Sequence, residues 1–275
     1  TAADLIPEPD YHQLLTQLPR ECFETDNVNQ KNAQLFVINH TAVFPENIKT
    51  IRSQSFKTKS DDFLFYVCGF GVETVATMAF YRQRRIRRAV FPRLQTIESD
   101  VFHYNSMLQS FSAPQCKLVG DGAFKSCCSL RRIDFNPEKI GKGAFSYSGV
   151  EELSFPKITE IKDSCFMGSA LRKLKVENCM KISGEAFKFP TSHTNTHVEI
   201  ECPIQQELLP KQCTKVENIE FSRKRSQQLG QIKVLSGLNK GFKLYKLYHV
   251  GCFTEYSSNI DRMGLKIYSQ QEHRA

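Results

Sequence analysis

The chain has 275 residues, 37 Lys and Arg against 29 Asp and Glu, a formal net charge of +8 and 40% hydrophobic residues. This is a foldable composition with a basic bias, which favours acidic partners. No apolar run approaches the ~20 residues a membrane-spanning helix needs, so such a helix is not expected. The sequence starts at Thr1 without an initiator Met or a charged-then-apolar leader, as it would if a leader had been removed or the chain trimmed.

Residues 1–41 read as an N-terminal cap and an irregular first coil. Pro7 and Pro9 precede Asp10, and Leu14, Leu15 and Leu18 recur at helical spacing. A short helix over about 10–18 is therefore expected to cover the open apolar end of the first coil. Glu21-Cys22-Phe23 has the form of a small-then-Phe corner, and Leu35-Phe36-Val37-Ile38 is a candidate strand. The extra length falls in the polar loop near Asp26 to Lys31. Asn39-His40-Thr41 is the single glycosylation sequon. Further on, Phe63 to Val67 is a continuous apolar run that suits a fully buried strand.

From Ile51 onward a hexad repeats: an aliphatic residue, then Phe five positions later, usually after a small residue. It ends at Phe56, Phe80, Phe102, Phe124, Phe145, Phe166 and Phe187, at intervals of 24, 22, 22, 21, 21 and 21 residues. A fixed period in this range marks a solenoid of stacked coils. Further columns keep the register: Ile86/Ala89/Phe91, Leu108/Phe111/Ala113, Leu130/Ile133/Phe135, Val150/Leu153/Phe155 and Leu171/Leu174/Val176. The last two members of each alternate with a polar or exposed position, as a half-buried strand requires. The paired glycines Gly69/Gly71, Gly120/Gly122 and Gly141/Gly143 are followed by no Gly-Lys-Ser/Thr, which argues for turns rather than a phosphate loop. One more coil follows, with Ile200-Glu201-Cys202-Pro203 as its strand, Leu208 in an Ile161-like position and Cys213 in the Phe166 position. Val216, Ile219 and Phe221 then close it.

The cadence of Leu130 to Phe145, and of Phe124-Lys125-Ser126-Cys127-Cys128-Ser129-Leu130, resembles the BspA-like leucine-rich repeat, a family of bacteria and of parasitic or anaerobic protists. The resemblance implies a leucine-rich repeat solenoid: a curved right-handed coil of about 21–24-residue repeats, mostly strands and turns with few short helices, and a parallel β-sheet on the concave face. It covers 42–221, leaving 222–275 for divergent coils and a C-terminal cap, all in one continuous solenoid. It also implies protein binding or adhesion rather than catalysis.

Ten cysteines are present. Same-column pairs such as Cys116 and Cys179, or Cys22 and Cys165, are not in adjacent coils, so mostly reduced, buried thiols are expected. His193, His197, Cys202 and Cys213 offer four zinc-type ligands, but both cysteines already fill core positions and the spacing is loose, so no metal and no cofactor is expected. No nucleophile elbow, carboxylate pair or metalloprotease signature appears, which points to a non-enzyme.

The positions flanking the core columns carry Arg87/Arg88, Gln109/Ser110, Arg131/Arg132, Glu151/Glu152 and Arg172/Lys173, with Val90, Ser112, Asp134, Ser154 and Lys175 at the next outward position. Stacking aligns Arg87, Arg88, Arg131, Arg132, Arg172, Lys173 and Lys175 into a basic ladder, the expected binding face for an acidic protein or an anionic glycan. A solvated charged face is the bland alternative. A structural subunit of a large intracellular assembly is a second function, and nucleic-acid binding a weaker third, because the aromatic residues are committed to core columns. The resemblance favours a cell-surface or secreted location, whereas the cysteine pattern and missing leader favour an intracellular one.

Overall fold

The computed structural model describes residues 9–56, 64–188 and 197–220, together with the backbone of the strands Lys233–Asn239 and Phe242–Tyr248. Backbone contacts divide the chain into two compact units, Thr1–Glu220 and Phe221–Ala275. In the second, the two described strands pair antiparallel. The divergent coils and cap expected in the rest of 222–275 lie outside the described residues.

The first unit is a parallel β-solenoid, as the repeat period requires. Each regular coil places one short strand in a main file and a two-residue strand in a second file. The main file runs Thr41–Phe44, Tyr66–Gly69, Arg88–Val90, Ser110–Ser112 and Arg132–Asp134, all paired in parallel. The second runs Asn27–Val28, Thr50–Ile51, Thr74–Val75, Thr96–Ile97, Leu118–Val119 and Lys139–Ile140. The aliphatic residue that opens each hexad is the inward member of a second-file strand, and the Phe that closes it is the corner.

Those corner rings form a continuous stack. Centroids are 4.9 Å apart between Phe56 and Phe80, 5.3 Å between Phe80 and Phe102, 5.6 Å between Phe102 and Phe124, and 5.5 Å between Phe124 and Phe145, with interplanar angles of 6–9°. Phe166 and Phe187 extend it at 5.7 and 5.4 Å. Burying one such ring is worth roughly 1.5–3 kcal/mol, so the stack is the main apolar spine of the unit. A second column alternates large and small. Ala89 precedes Phe91 in one coil, and Phe111 precedes Ala113 in the next, so each Phe fills the space its neighbouring coil leaves.

The chain turns around each anchor through left-handed backbone. Gln54, Met78, Asp100 and Ser164 lie two residues before an anchor, and Arg82, Tyr104, Ser126 and Tyr147 two residues after, with φ of 55–63°. Three residues after Phe80, Phe102, Phe124, Phe145 and Phe166 sits a buried polar side chain or thiol, and in the first three of these coils it satisfies the carbonyl of the preceding anchor. Gln83 Nε2 donates to Phe56 O at 2.8 Å, Asn105 Nδ2 to Phe80 O at 2.9 Å, and Cys127 Sγ to Phe102 O at 3.1 Å. The offset of three from each Phe is visible in the sequence; its role needed the coil geometry.

The ends depart from expectation. The first helix spans Tyr11–Leu15, with Asp10 accepting from the backbone of His12 and Gln13, and is shorter than 10–18. A second helix, Glu21–Glu24, buries Cys22 and turns Phe23 outward to 49% exposure, so Phe23 is no corner anchor. Phe36 is fully buried there, 5.5 Å from the strand residue Phe44. Val37–Ile38 does not join the parallel file from its own coil; it reverses through Asn39 and His40, both at positive φ, and pairs antiparallel with Thr41–Phe44. At the far end Cys213 does not occupy a corner either, because Cys213–Lys215 pairs in parallel with Val198–Glu201 and opens a main-file strand. A 3₁₀ turn, Gln206–Leu208, replaces the second-file strand, leaving Leu208 71% exposed while Leu209 is buried.

Candidate interaction surface

Strand alternation sends Ala89, Phe111 and Ile133 inward and sets Tyr66, Arg88, Ser110 and Arg132 side by side on the outer face. Arg87, one residue before its strand, lies over the Phe65 ring of the preceding coil at 5.8 Å. Arg132 is exposed, Arg87 and Arg88 are half-buried, and all three are engaged within the chain as well. Val90 and Ser112, expected to point outward into solvent, are instead buried at 2% exposure. Val90 lines up with Cys68 and Val43 across the strands. The helix Tyr11–Leu15 packs on Thr41–Phe44, and its His12 stacks on Phe70 with centroids 5.6 Å apart. With Tyr11, Leu14, Tyr66 and Phe70 these residues form a small buried group apart from the main core, so the N-terminal helix covers part of the strand face.

Beyond Asp134 the face alternates in sign. Glu152, Lys173 and Glu199 are direct cross-strand neighbours, as are Ser154, Lys175 and Glu201. Lys175 Nζ lies 2.8 Å from Glu201 and 3.2 Å from Glu177. Its hydrogen bonds to Glu201 and then Glu177 raise its pKa, and the same lysine, with the Ile219 backbone N–H, lowers that of Glu201. Lys173 Nζ donates to Glu220 O at 2.5 Å. Arg172 is exposed.

Arg131 has a structural task. Arg88, Ser110 and Arg132 open strands 22 residues apart, but Glu152 opens the next only 20 residues on. Among the described residues, Arg132–Asp134 and Glu152–Ser154 do not pair, and Lys139–Ile140 does not pair with Glu160–Ile161. Arg131 bridges this boundary. Its Nη1 donates to Cys128 O at 3.0 Å and to Gly149 O, and its Nε lies 3.4 Å from Glu151. A Cβ on Gly149 would collide with that guanidinium, so the glycine makes the seat possible.

Of the seven cations of the expected ladder, Arg131, Lys173 and Lys175 thus bond to polar groups within the chain, and Arg87, Arg88 and Arg132, engaged within it as well, lie together on one half of the face. Not all aromatic residues are committed to the core. Tyr81, Tyr104 and Tyr147 lie at the corners outside it, Tyr104 and Tyr147 being 39% and 38% exposed. The signal was their place one or two residues after an anchor Phe.

The nine described cysteines are free thiols, all buried except Cys128. Burial pushes the Cys116 and Cys213 thiols up to about 12. Among the described residues no group of His, Cys, Asp and Glu is placed to hold a metal; His193 lies outside them, and His197 bonds Thr214. No described helix is long and apolar enough to cross a membrane.

A family model described as the BspA type leucine rich repeat region matches the chain over residues 16–147, 73–194 and 138–240. No curated protein sequence matches it. Among solved structures, a leucine rich repeat protein of T. pallidum is 21% identical with a TM-score of 0.46, over 52% of this chain and 73% of that one. The pneumococcal vaccine antigen PcpA is 15% identical with a TM-score of 0.40, over 68% of this chain and 43% of that one. A leucine rich cell surface protein from Faecalibacterium prausnitzii is 16% identical with a TM-score of 0.28, over 52% and 62%.

Proposed function

This chain belongs to the BspA-type leucine-rich repeat family, and from that premise we propose that it is a non-catalytic protein-interaction module, an adhesin or scaffold, that docks an acidic partner on its main-file strand face. The observation that carries the reading is the Arg88, Ser110 and Arg132 rung with Arg87 beside it, a basic area on the half of the face where the strands do not alternate in charge. Arg172 extends it beyond the acidic coil of Glu151 and Glu152. The reading requires no cofactor, and charge would speed encounter and select partners more than it would add affinity.

The test is affinity capture from extracts of the source cells, comparing the natural chain with one carrying Arg87→Glu, Arg88→Glu and Arg132→Glu. Loss of a partner of acidic surface from the variant supports the reading. Identical catches from both would mean the rung is a solvated face. Arg131 stays unchanged in this variant, because its loss would disturb the coil boundary itself.

A further inference from the structure

The corner that follows each anchor Phe forms a second surface, independent of the strand face. Backbone hydrogen bonds from Arg82 N to His103 O at 2.9 Å, Tyr104 N to Lys125 O at 2.9 Å, Ser126 N to Ser146 O at 2.8 Å and Tyr147 N to Met167 O at 2.7 Å stack the coils there in strict file. Arg82, Tyr104, Ser126, Tyr147 and Gly168 therefore stand one above another. With ~4.8 Å between hydrogen-bonded strands, Tyr104 and Tyr147 are about 10 Å apart.

Both rings are exposed and both are braced. Tyr104 stacks on His103 at 4.2 Å and 13°, and Asp100 holds His103 Nδ1 at 2.8 Å. The Arg82 guanidinium sits 5.4 Å from the Tyr104 ring and 5.6 Å from that of Tyr81. Tyr147 lies across Gly168, where a Cβ would come within 2.6 Å of its Cε1. Tyr104 and Tyr147 also adopt left-handed backbone, φ 63° and 55°, which disfavours a bulky side chain. Neither ring belongs to the main core. Preorganised and exposed aromatic residues two coils apart are what a binding platform needs and a core does not.

We propose that this corner binds an acidic polysaccharide lying along the coil stack, with sugar rings on Tyr104 and Tyr147 and acid groups on Arg82 and Lys125. The two-coil interval is close to one disaccharide unit, and Ser126 leaves the notch between the rings. A single-stranded nucleic acid fits less well, since successive bases would need a ring on each coil, and the middle coil offers a serine. The cations beside the rings select an anionic chain over a neutral one.

The experiment titrates the full chain with a hyaluronan decasaccharide and a heparin decasaccharide, against a neutral chitin oligosaccharide and a DNA decamer. With no Trp in the chain, intrinsic fluorescence reports its tyrosines directly. Binding of at least one acidic glycan is expected, with neutral sugar and DNA weaker. Tyr104→Ser and Tyr147→Ser, which copy the residue nature places at 126, should each weaken it about tenfold. Their circular dichroism melts should stay cooperative, and the Arg87→Glu, Arg88→Glu, Arg132→Glu variant should bind glycan as before. Failure of both acidic glycans to bind, affinity unchanged in the double tyrosine variant, or DNA binding tighter at the same tyrosines would each overturn the proposal.

Discussion

Arg131 reaches across a coil boundary to the carbonyl of Gly149, where, among the described residues, neither strand file is paired. The side chain replaces part of the missing backbone ladder with charge-assisted hydrogen bonds. Arg131→Met should cost about 1–3 kcal/mol in urea denaturation, because it takes the guanidinium donor from three backbone carbonyls, those of Cys128, Leu130 and Gly149. Arg131→Lys should not restore it, lacking the planar fork. Gly149→Ala should be at least as damaging. A change below ~0.3 kcal/mol for Arg131→Met would mean the coils hold together there through the aromatic spine alone.

The spine itself can be probed at Phe124 and Phe145, both fully buried in ring stacks. Alanine at either position should cost about 3–5 kcal/mol. Losses below about 1 kcal/mol at both would contradict their place in the core.

Phe111 and Ala113 exchange the large and small roles held by Phe91 and Ala89 in the coil before. Ala113→Phe alone should overpack and destabilise by about 1–3 kcal/mol. Adding Phe111→Ala should recover a substantial part of that loss, a coupling that a double-mutant cycle would register. Strict additivity would show the two columns to be independent.

Burial lowers the pKa of His103 below its ordinary value; Asp100 opposes that shift, and Lys125 and Arg82 reinforce it. The folded state then binds fewer protons than the unfolded one, so the stability from this residue is present above about pH 6.5 and is lost as pH falls through the folded pKa. Thermal melts should show a decline on acidification from neutral pH that His103→Gln removes. An unchanged profile in that variant would assign the decline to other groups.

Thiol chemistry offers a separate check. Cys128 is the exposed one among the nine described cysteines, and burial pushes Cys116 and Cys213 up to about 12. Brief alkylation of the native chain should label Cys128 well ahead of the buried eight, and denaturation without reductant should open them all. Fewer than half reactive after denaturation would reveal disulfides.

Period, anchor and strand columns were all legible in the sequence, because the same burial requirement recurs in every coil and each repetition corrects the noise of the others. Ile51 to Phe187 therefore announced both the solenoid and its core. The ends were not legible, since Phe23 and Leu208 have the right residue type at nearly the right offset, but a short helix and a 3₁₀ turn there bury the adjacent Cys22 and Leu209 in their place. The surface was decided by tertiary structure. Whether a cation faces a partner or the chain depends on distances between residues far apart in sequence, 18 for Arg131 and Gly149 and 47 for Lys173 and Glu220. Short-range alternation carries no record of such pairs. Likewise, Val90 satisfied the outward position of a strand, and the helix that packs on the same face two strands away, on Thr41–Phe44, lies far upstream, at Tyr11–Leu15.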